Sequence, residues 1–131
     1  MASMGGSESD VSDLNAVSVL VVEDNWHVAN AMKAALEQLG MRVLGPAATT
    51  AEAKRLAVEE PPKVAIVDIN LKRETASDLI KELHAQGVRV VVASGYAVPP
   101  VSKESVAAFL HKPFSGQELI ITMRRVVRQL H

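Results

Sequence analysis

Cysteine is absent from the 131 residues, which excludes disulfides, thiolate metal ligands and thiol nucleophiles. That absence suits a reducing compartment, and a cytoplasmic location is the expectation. Long hydrophobic runs are missing as well: none approaches the roughly 20 residues needed to cross a bilayer, so no membrane contact is expected. Neither sign of charge dominates, with 14 Lys and Arg against 15 Asp and Glu and a formal net charge of −1. Such a balance gives no electrostatic case for direct nucleic-acid binding. Of the four histidines, His84, His111 and His131 are too scattered to form a metal site, and His27 is expected on the exposed start of a helix. Any special charge must therefore be local.

The opening MASMGGSESDVSDLN has neither the basic start nor the apolar middle of a secretory signal. It mixes Ser, Gly and Asp with almost no bulky apolar side chain, so residues 1–16 are expected to form a disordered tail, its first residues partly an expression remnant. Residues 17–131 are expected to be one domain, for which 48% hydrophobic residues supply a core.

What is present centres on VAIVDIN, residues 64–70. An unbroken apolar run ending on Asp68 predicts a strand buried on both faces that delivers a carboxylate to the rim of a parallel sheet. VSVLVV at 17–22 ends in the same way on Glu23 and Asp24. From Trp26 the apolar spacing turns helical through Val28, Met32, Ala35, Leu36 and Leu39, with Gly40 as the C-terminal cap. MRVLG at 41–45 predicts a second strand, and Thr49 with Glu52 predicts a capped helix running to Pro61 on a core face of Ala53, Leu56 and Ala57. Thr75 with Asp78 predicts the start of a third helix that places Leu79, Ile80 and Leu83 inward and ends at Gly87.

VRVVVAS at 88–94 predicts the fourth strand, and Pro99 and Pro100 then permit only a short helix in a mobile connection. AAFL at 107–110 predicts the fifth strand. Ser115 and Glu118 predict a capping box for a last helix with a stripe of Leu119, Ile120, Met123, Val126, Val127 and Leu130. Arg124, Arg125 and Arg128 lie opposite that stripe. Strict strand–helix alternation implies an α/β fold, a doubly wound parallel five-stranded sheet with helices on both faces.

In such a fold the carboxyl ends of the strands carry Glu23, Asp24, Asp68, Ser94 and Lys112 to one edge. Clustered carboxylates repel, and a divalent cation resolves the conflict. All-oxygen ligands suit magnesium, or manganese, with the Asn70 carbonyl as a further donor. A cation and the Lys112 ammonium together suit a phosphoryl guest, which Asp68 is placed to attack while Ser94 donates a hydroxyl hydrogen bond.

VVEDN, VDIN, ASG and HKPF together resemble the receiver domain of two-component response regulators, over essentially all of residues 17–131. The resemblance implies a flavodoxin-like (βα)5 fold with strand order 2-1-3-4-5 and a short or irregular fourth helix. It implies phosphorylation of Asp68 by a histidine kinase or histidine phosphotransfer protein. Magnesium would be bound by Asp24, Asp68 and the Asn70 carbonyl, with Glu23 acting through water, and the proline after Lys112 would be cis. The catalytic set would be Asp68, Ser94 and Lys112, with at most self-catalysed phosphorylation and dephosphorylation rather than turnover of a substrate. Phe109 stands where the family has its switch aromatic, and Tyr96 shares that role beside Ser94.

The loop NLKRETASD departs from the family in lacking Pro and Gly. ASGY followed by prolines is similar to stand-alone alphaproteobacterial receivers, which would account for a weak fourth helix, and no attached output domain is expected after His131. Partners would then be the phosphodonor, a downstream protein and a second copy, docking on the face of the fourth helix, fifth strand and fifth helix. Two rival readings are a phosphorylation-independent docking module and a haloacid-dehalogenase-like phosphohydrolase. The second lacks its usual acid two residues on, where Asn70 stands.

Overall fold

The computed structural model describes residues 14–71, 74–95 and 101–130. The elements in order are β1 (Ser18–Val22), α1 (Trp26–Gln38), β2 (Arg42–Ala47), α2 (Thr50–Glu59), β3 (Val64–Asp68), β4 (Asn70–Leu71), β5 (Glu74–Thr75), α3 (Ser77–Ala85) and β6 (Arg89–Ser94). A 3-10 turn (Lys103–Ser105), β7 (Ala108–His111) and α4 (Gly116–Arg128) complete the chain. The main sheet is parallel, in the order β2-β1-β3-β6-β7. With the β4–β5 hairpin set aside, this is the expected 2-1-3-4-5 order.

The unbroken apolar runs are explained by two cores, one on each side of the sheet. Val19 and Val21 of β1 pack with Met32, Leu36, Met123 and Val127 under α1 and α4. Their neighbours Leu20 and Val22 pack with Ala53, Ala57, Leu79 and Leu83 under α2 and α3. Successive strand residues point to opposite faces, so every position of β1 and β3 is buried and nearly all are apolar; Ser18, at the start of β1, spends its hydroxyl accepting from Lys63 N. Asp68 is the charged exception, and it lies where β3 leaves the sheet.

Helix boundaries follow local chemistry. Asn25 caps α1 by accepting from the Val28 N–H, and Gly40 at φ +86° ends the turn beyond it. Thr49 caps α2 through the Glu52 N–H, and Ser115 and Glu118 form a reciprocal capping box on α4. The stripe of α4 is buried at Leu119, Met123, Val126 and Val127, joined by Thr122, while Ile121 is exposed.

Several expectations are corrected. Thr75 does not cap α3; it pairs with Asn70 in a two-stranded hairpin, and α3 begins at Ser77 with no side-chain cap. Strand β2 runs on to Ala47 through Gly45 and Pro46. Leu14, placed in the tail by sequence, is fully buried in the α1–α4 core. Ala16 N donates there to the Gly40 carbonyl at 2.7 Å, which seats this stretch against the end of α1. Residues 1–13 and the prolines at 99 and 100 lie outside the described residues, and beyond them only the single 3-10 turn stands for a fourth helix.

Candidate functional site

Four strand ends build the site. β1 ends one residue before Glu23, which is buried, and Asp24, which is half-buried. β3 ends on Asp68, β6 on buried Ser94, and Lys112 follows β7. Adjacent strands are parallel and in register, Asp68 opposite Ala93 and Ser94 opposite His111, so these ends converge on one edge. One carboxylate oxygen each from Glu23, Asp24 and Asp68 lies within 4.8 Å of the other two.

Lys112 Nζ binds two of these acids, donating to Glu23 Oε1 at 2.7 Å and Asp68 Oδ2 at 2.9 Å. The other oxygen of each is held by a backbone amide. Asn25 N donates to Glu23 Oε2 at 3.1 Å and Asn70 N to Asp68 Oδ1 at 3.0 Å. The Lys112–Pro113 peptide is cis, as the resemblance implies.

Burial pushes the Glu23 carboxyl above its ordinary value, although the Lys112 and Asn25 hydrogen bonds oppose it, and nearby Asp68 adds to the rise. Burial also pulls the Lys112 ammonium down, but hydrogen bonds and charge from Glu23 and Asp68 outweigh it and leave Lys112 above the usual lysine value. The two rises have different causes: burial drives that of Glu23, whereas two carboxylates around one ammonium drive that of Lys112.

The sequence profile of the response regulator receiver domain matches residues 19–124. The chain belongs to the response regulator receiver family. Phosphoacceptor signalling within two-component systems is the function of that family. Among curated relatives, the photosynthetic apparatus regulatory protein RegA of Cereibacter sphaeroides is 30% identical over 108 residues, covering 78% of this chain and 58% of RegA. The C4-dicarboxylate transport transcriptional regulatory protein DctD of Pseudomonas aeruginosa is 26% identical over 118 residues, covering 83% of this chain and 25% of DctD. The chain thus spans between a quarter and somewhat over half of these relatives' lengths.

Solved structures share the receiver fold. The response regulator PhyR from Brucella abortus superposes with a TM-score of 0.82 at 22% identity, over 96% of this chain and 54% of that one. A CheY-like receiver from Methanospirillum hungatei gives 0.74 at 23% identity, over 88% of this chain and 96% of its own.

The receiver's predicted site residues are thus gathered at one edge, with Asn70 opening the hairpin immediately after Asp68. Phe109 lies apart on edge strand β7, 37% exposed. Tyr96 lies outside the described residues. Sequence reasoning missed two supports. Asn25 both caps α1 and holds Glu23, a double duty its N-cap position before the Trp26 helix could have signalled. Glu74, at the hairpin, accepts from Thr50 N at 2.7 Å and Thr50 Oγ1 at 3.0 Å, tying the segment after Asp68 to the first turn of α2. No local pattern links residues that far apart in sequence. No helix among the described residues is long and apolar enough to cross a membrane.

Proposed function

We propose that Asp68 is the phosphoacceptor of this receiver and that a histidine kinase or histidine phosphotransfer protein is its donor. A carboxylate oxygen of Asp68 attacks the phosphorus of the donor's phosphohistidine. The phosphorus–nitrogen bond breaks, and its electron pair leaves with the imidazole. Lys112 offsets the charge gathered at the acid, and the Ser94 hydroxyl serves the phosphoryl oxygens. The observation that carries this reading is the convergence of Lys112, Glu23 and Asp24 on a buried Asp68.

Three carboxylates beside one ammonium form a hard, all-oxygen donor set that fits magnesium, with manganese as a substitute. Asp24, Asp68 and the Asn70 carbonyl would hold the ion, with Glu23 acting through water. When bound, it would neutralise phosphoryl oxygen charge. An apolar groove of about 470 Å³ lined by Val28, Ala31, Phe114 and Leu119 lies between α1 and α4 and reaches Lys112, offering the donor a seat. Receivers engage kinases and downstream partners; here a downstream protein, or a second copy, would read the face around β7 and α4, where Phe109 and Arg125 are exposed. The cytoplasm is where such a relay would operate.

The test is Trp26 fluorescence, since this sole tryptophan lies two residues after Asp24 and is 71% exposed. Magnesium is added first, then beryllofluoride as a phosphoryl mimic. A saturable magnesium response, with a subsequent beryllofluoride change that disappears in Asp68→Asn, is the expected result. A beryllofluoride response of equal size in Asp68→Asn would overturn the assignment.

A further inference from the structure

The acids of the pocket stand at the ends of β1 and β3 and the lysine comes just after β7. Strand β2 contributes no side chain to it, yet its backbone reaches it. Pairing between β1 and β2 runs residue for residue from Ser18–Arg42 to Leu20–Leu44, then shifts so that Val22 stands opposite Ala47, with one extra residue on β2. Gly45 and Pro46 occupy this bulge. Its chemical reason lies in Pro46. In unbroken register Pro46 would stand opposite Val22, where the ladder calls for a backbone N–H that proline lacks. Advancing by one residue places Ala47 there instead.

Gly45 makes that advance possible. Its φ is +91°, and a Cβ on it would lie 2.7 Å from Ala47 N and 3.0 Å from Val21 O. Both are backbone atoms, which cannot swing aside as a flexible side chain can. The result is read at the pocket: Glu23 N donates to the Ala47 carbonyl at 2.9 Å. Glu23 is only 3% exposed, so its carboxylate has little room to find Lys112 by a different path. Where its backbone is pinned decides where its oxygens lie.

We infer that the Gly45–Pro46 bulge is a positioning device for the phosphoacceptor pocket, fixing the Glu23 amide on the Ala47 carbonyl so that the Glu23 carboxylate is aimed at Lys112 and Asp68. This rests on the reading of that pocket as a divalent-cation and phosphoryl site. Gly45 and Pro46 touch neither ion nor donor; they act through Glu23. Bulges recur beside active sites because an extra residue bends the strand and re-aims its side chains.

The experiment compares wild type, Gly45→Ala and Val88→Ala, using magnesium alone as the probe. Trp26 fluorescence gives the dissociation constant, and NMR tracks the Glu23 amide. Gly45→Ala is expected to weaken magnesium binding by about tenfold, as loss of a support behind a metal site does, and to shift the Glu23 amide resonance. Val88→Ala trims the core just ahead of β6, so it lowers stability while leaving the dissociation constant within about twofold of wild type.

A folded Gly45→Ala whose dissociation constant stays within about twofold of wild type overturns the positioning role. A wild type with no saturable magnesium response overturns the underlying cation-site reading instead, and the inference with it. If Gly45→Ala does not fold, Pro46→Ala decides. It restores an N–H at 46 and so removes what imposes the shift. Binding weakened more than about threefold supports the inference, and unchanged binding overturns it.

Discussion

Lys112 Nζ stands 2.9 Å from Asp68 Oδ2, joining residues 44 apart in sequence at the edge of the sheet. The same ammonium also binds Glu23, so one cation serves two buried acids. The charge balance of the pocket depends on that sharing and on the elements that deliver it.

Asp68→Asn keeps the shape of the side chain and removes its nucleophilic charge. Phosphoryl transfer from a phosphodonor is expected to fall to background while the fold persists, because Glu23 retains its contact with Lys112. Radiolabel or intact-mass detection of uptake, with circular dichroism alongside, checks both halves. Uptake at the wild-type level in this variant would sink the proposed role of Asp68.

Lys112→Met leaves Glu23 and Asp68 facing each other without their counter-ion. Removing one member of a buried charge group commonly destabilises by about 3–5 kcal/mol, and the figure here is lower, about 2 kcal/mol, because Lys112 is itself partly exposed. Urea unfolding with and without magnesium measures it. The ion is expected to recover much of the loss in the variant and to add less to wild type, which already holds an ammonium there.

The pH response has two limbs. Glu23 has a folded value above its ordinary one, so folding favours its protonated form, and its contribution to stability grows as pH falls through that raised value. Magnesium held as proposed would compete with this proton. Its dissociation constant is therefore expected to rise on acidification sooner than exposed glutamates would dictate, in titrations between about pH 5 and pH 8. Lys112 is also raised, so its stabilising contribution is complete below the ordinary lysine value and is lost as pH climbs through the raised one. Alkaline urea melts are expected to show that loss in wild type and not in Lys112→Met.

Ser115→Ala removes the hydroxyl that accepts from Glu118 N at 3.0 Å at the start of α4. Loss of an N-cap is expected to destabilise by ~1 kcal/mol, read by urea unfolding. An unchanged midpoint would show that water replaces the cap without penalty.

Much of this fold is legible in the sequence because burial on both faces leaves no room for ambiguity. Val19 to Val22 and Val64 to Val67 need apolar side chains at every position, and the first charge after each run marks the edge of the sheet. Capping at Ser115 and Thr49 is equally readable, since a hydroxyl and a glutamate three residues apart act locally. Thr75 and Asp78 carry a similar local signature, yet a pairing with Asn70 takes Thr75 into the hairpin. Gly45 and Pro46 look like the end of a strand, and only the neighbouring β1 shows that the strand continues past them. Leu14 escapes because a lone leucine in a polar stretch gives no periodic pattern to read. The site itself is visible as types of residue at strand ends. Its supports, the Ala47 carbonyl and Glu74 on Thr50, belong to contacts between distant segments.

The lysine between Glu23 and Asp68 is a counter-ion tethered by its own chain, so it cannot be diluted, chelated or exchanged. The acidic pocket is therefore built to hold together whatever the supply of divalent cations, and a bound cation adds to a structure that already stands. With magnesium as the proposed cation, a fall in its free concentration is expected to silence the switch while leaving the amount of folded protein nearly unchanged, so that competence and abundance are governed separately.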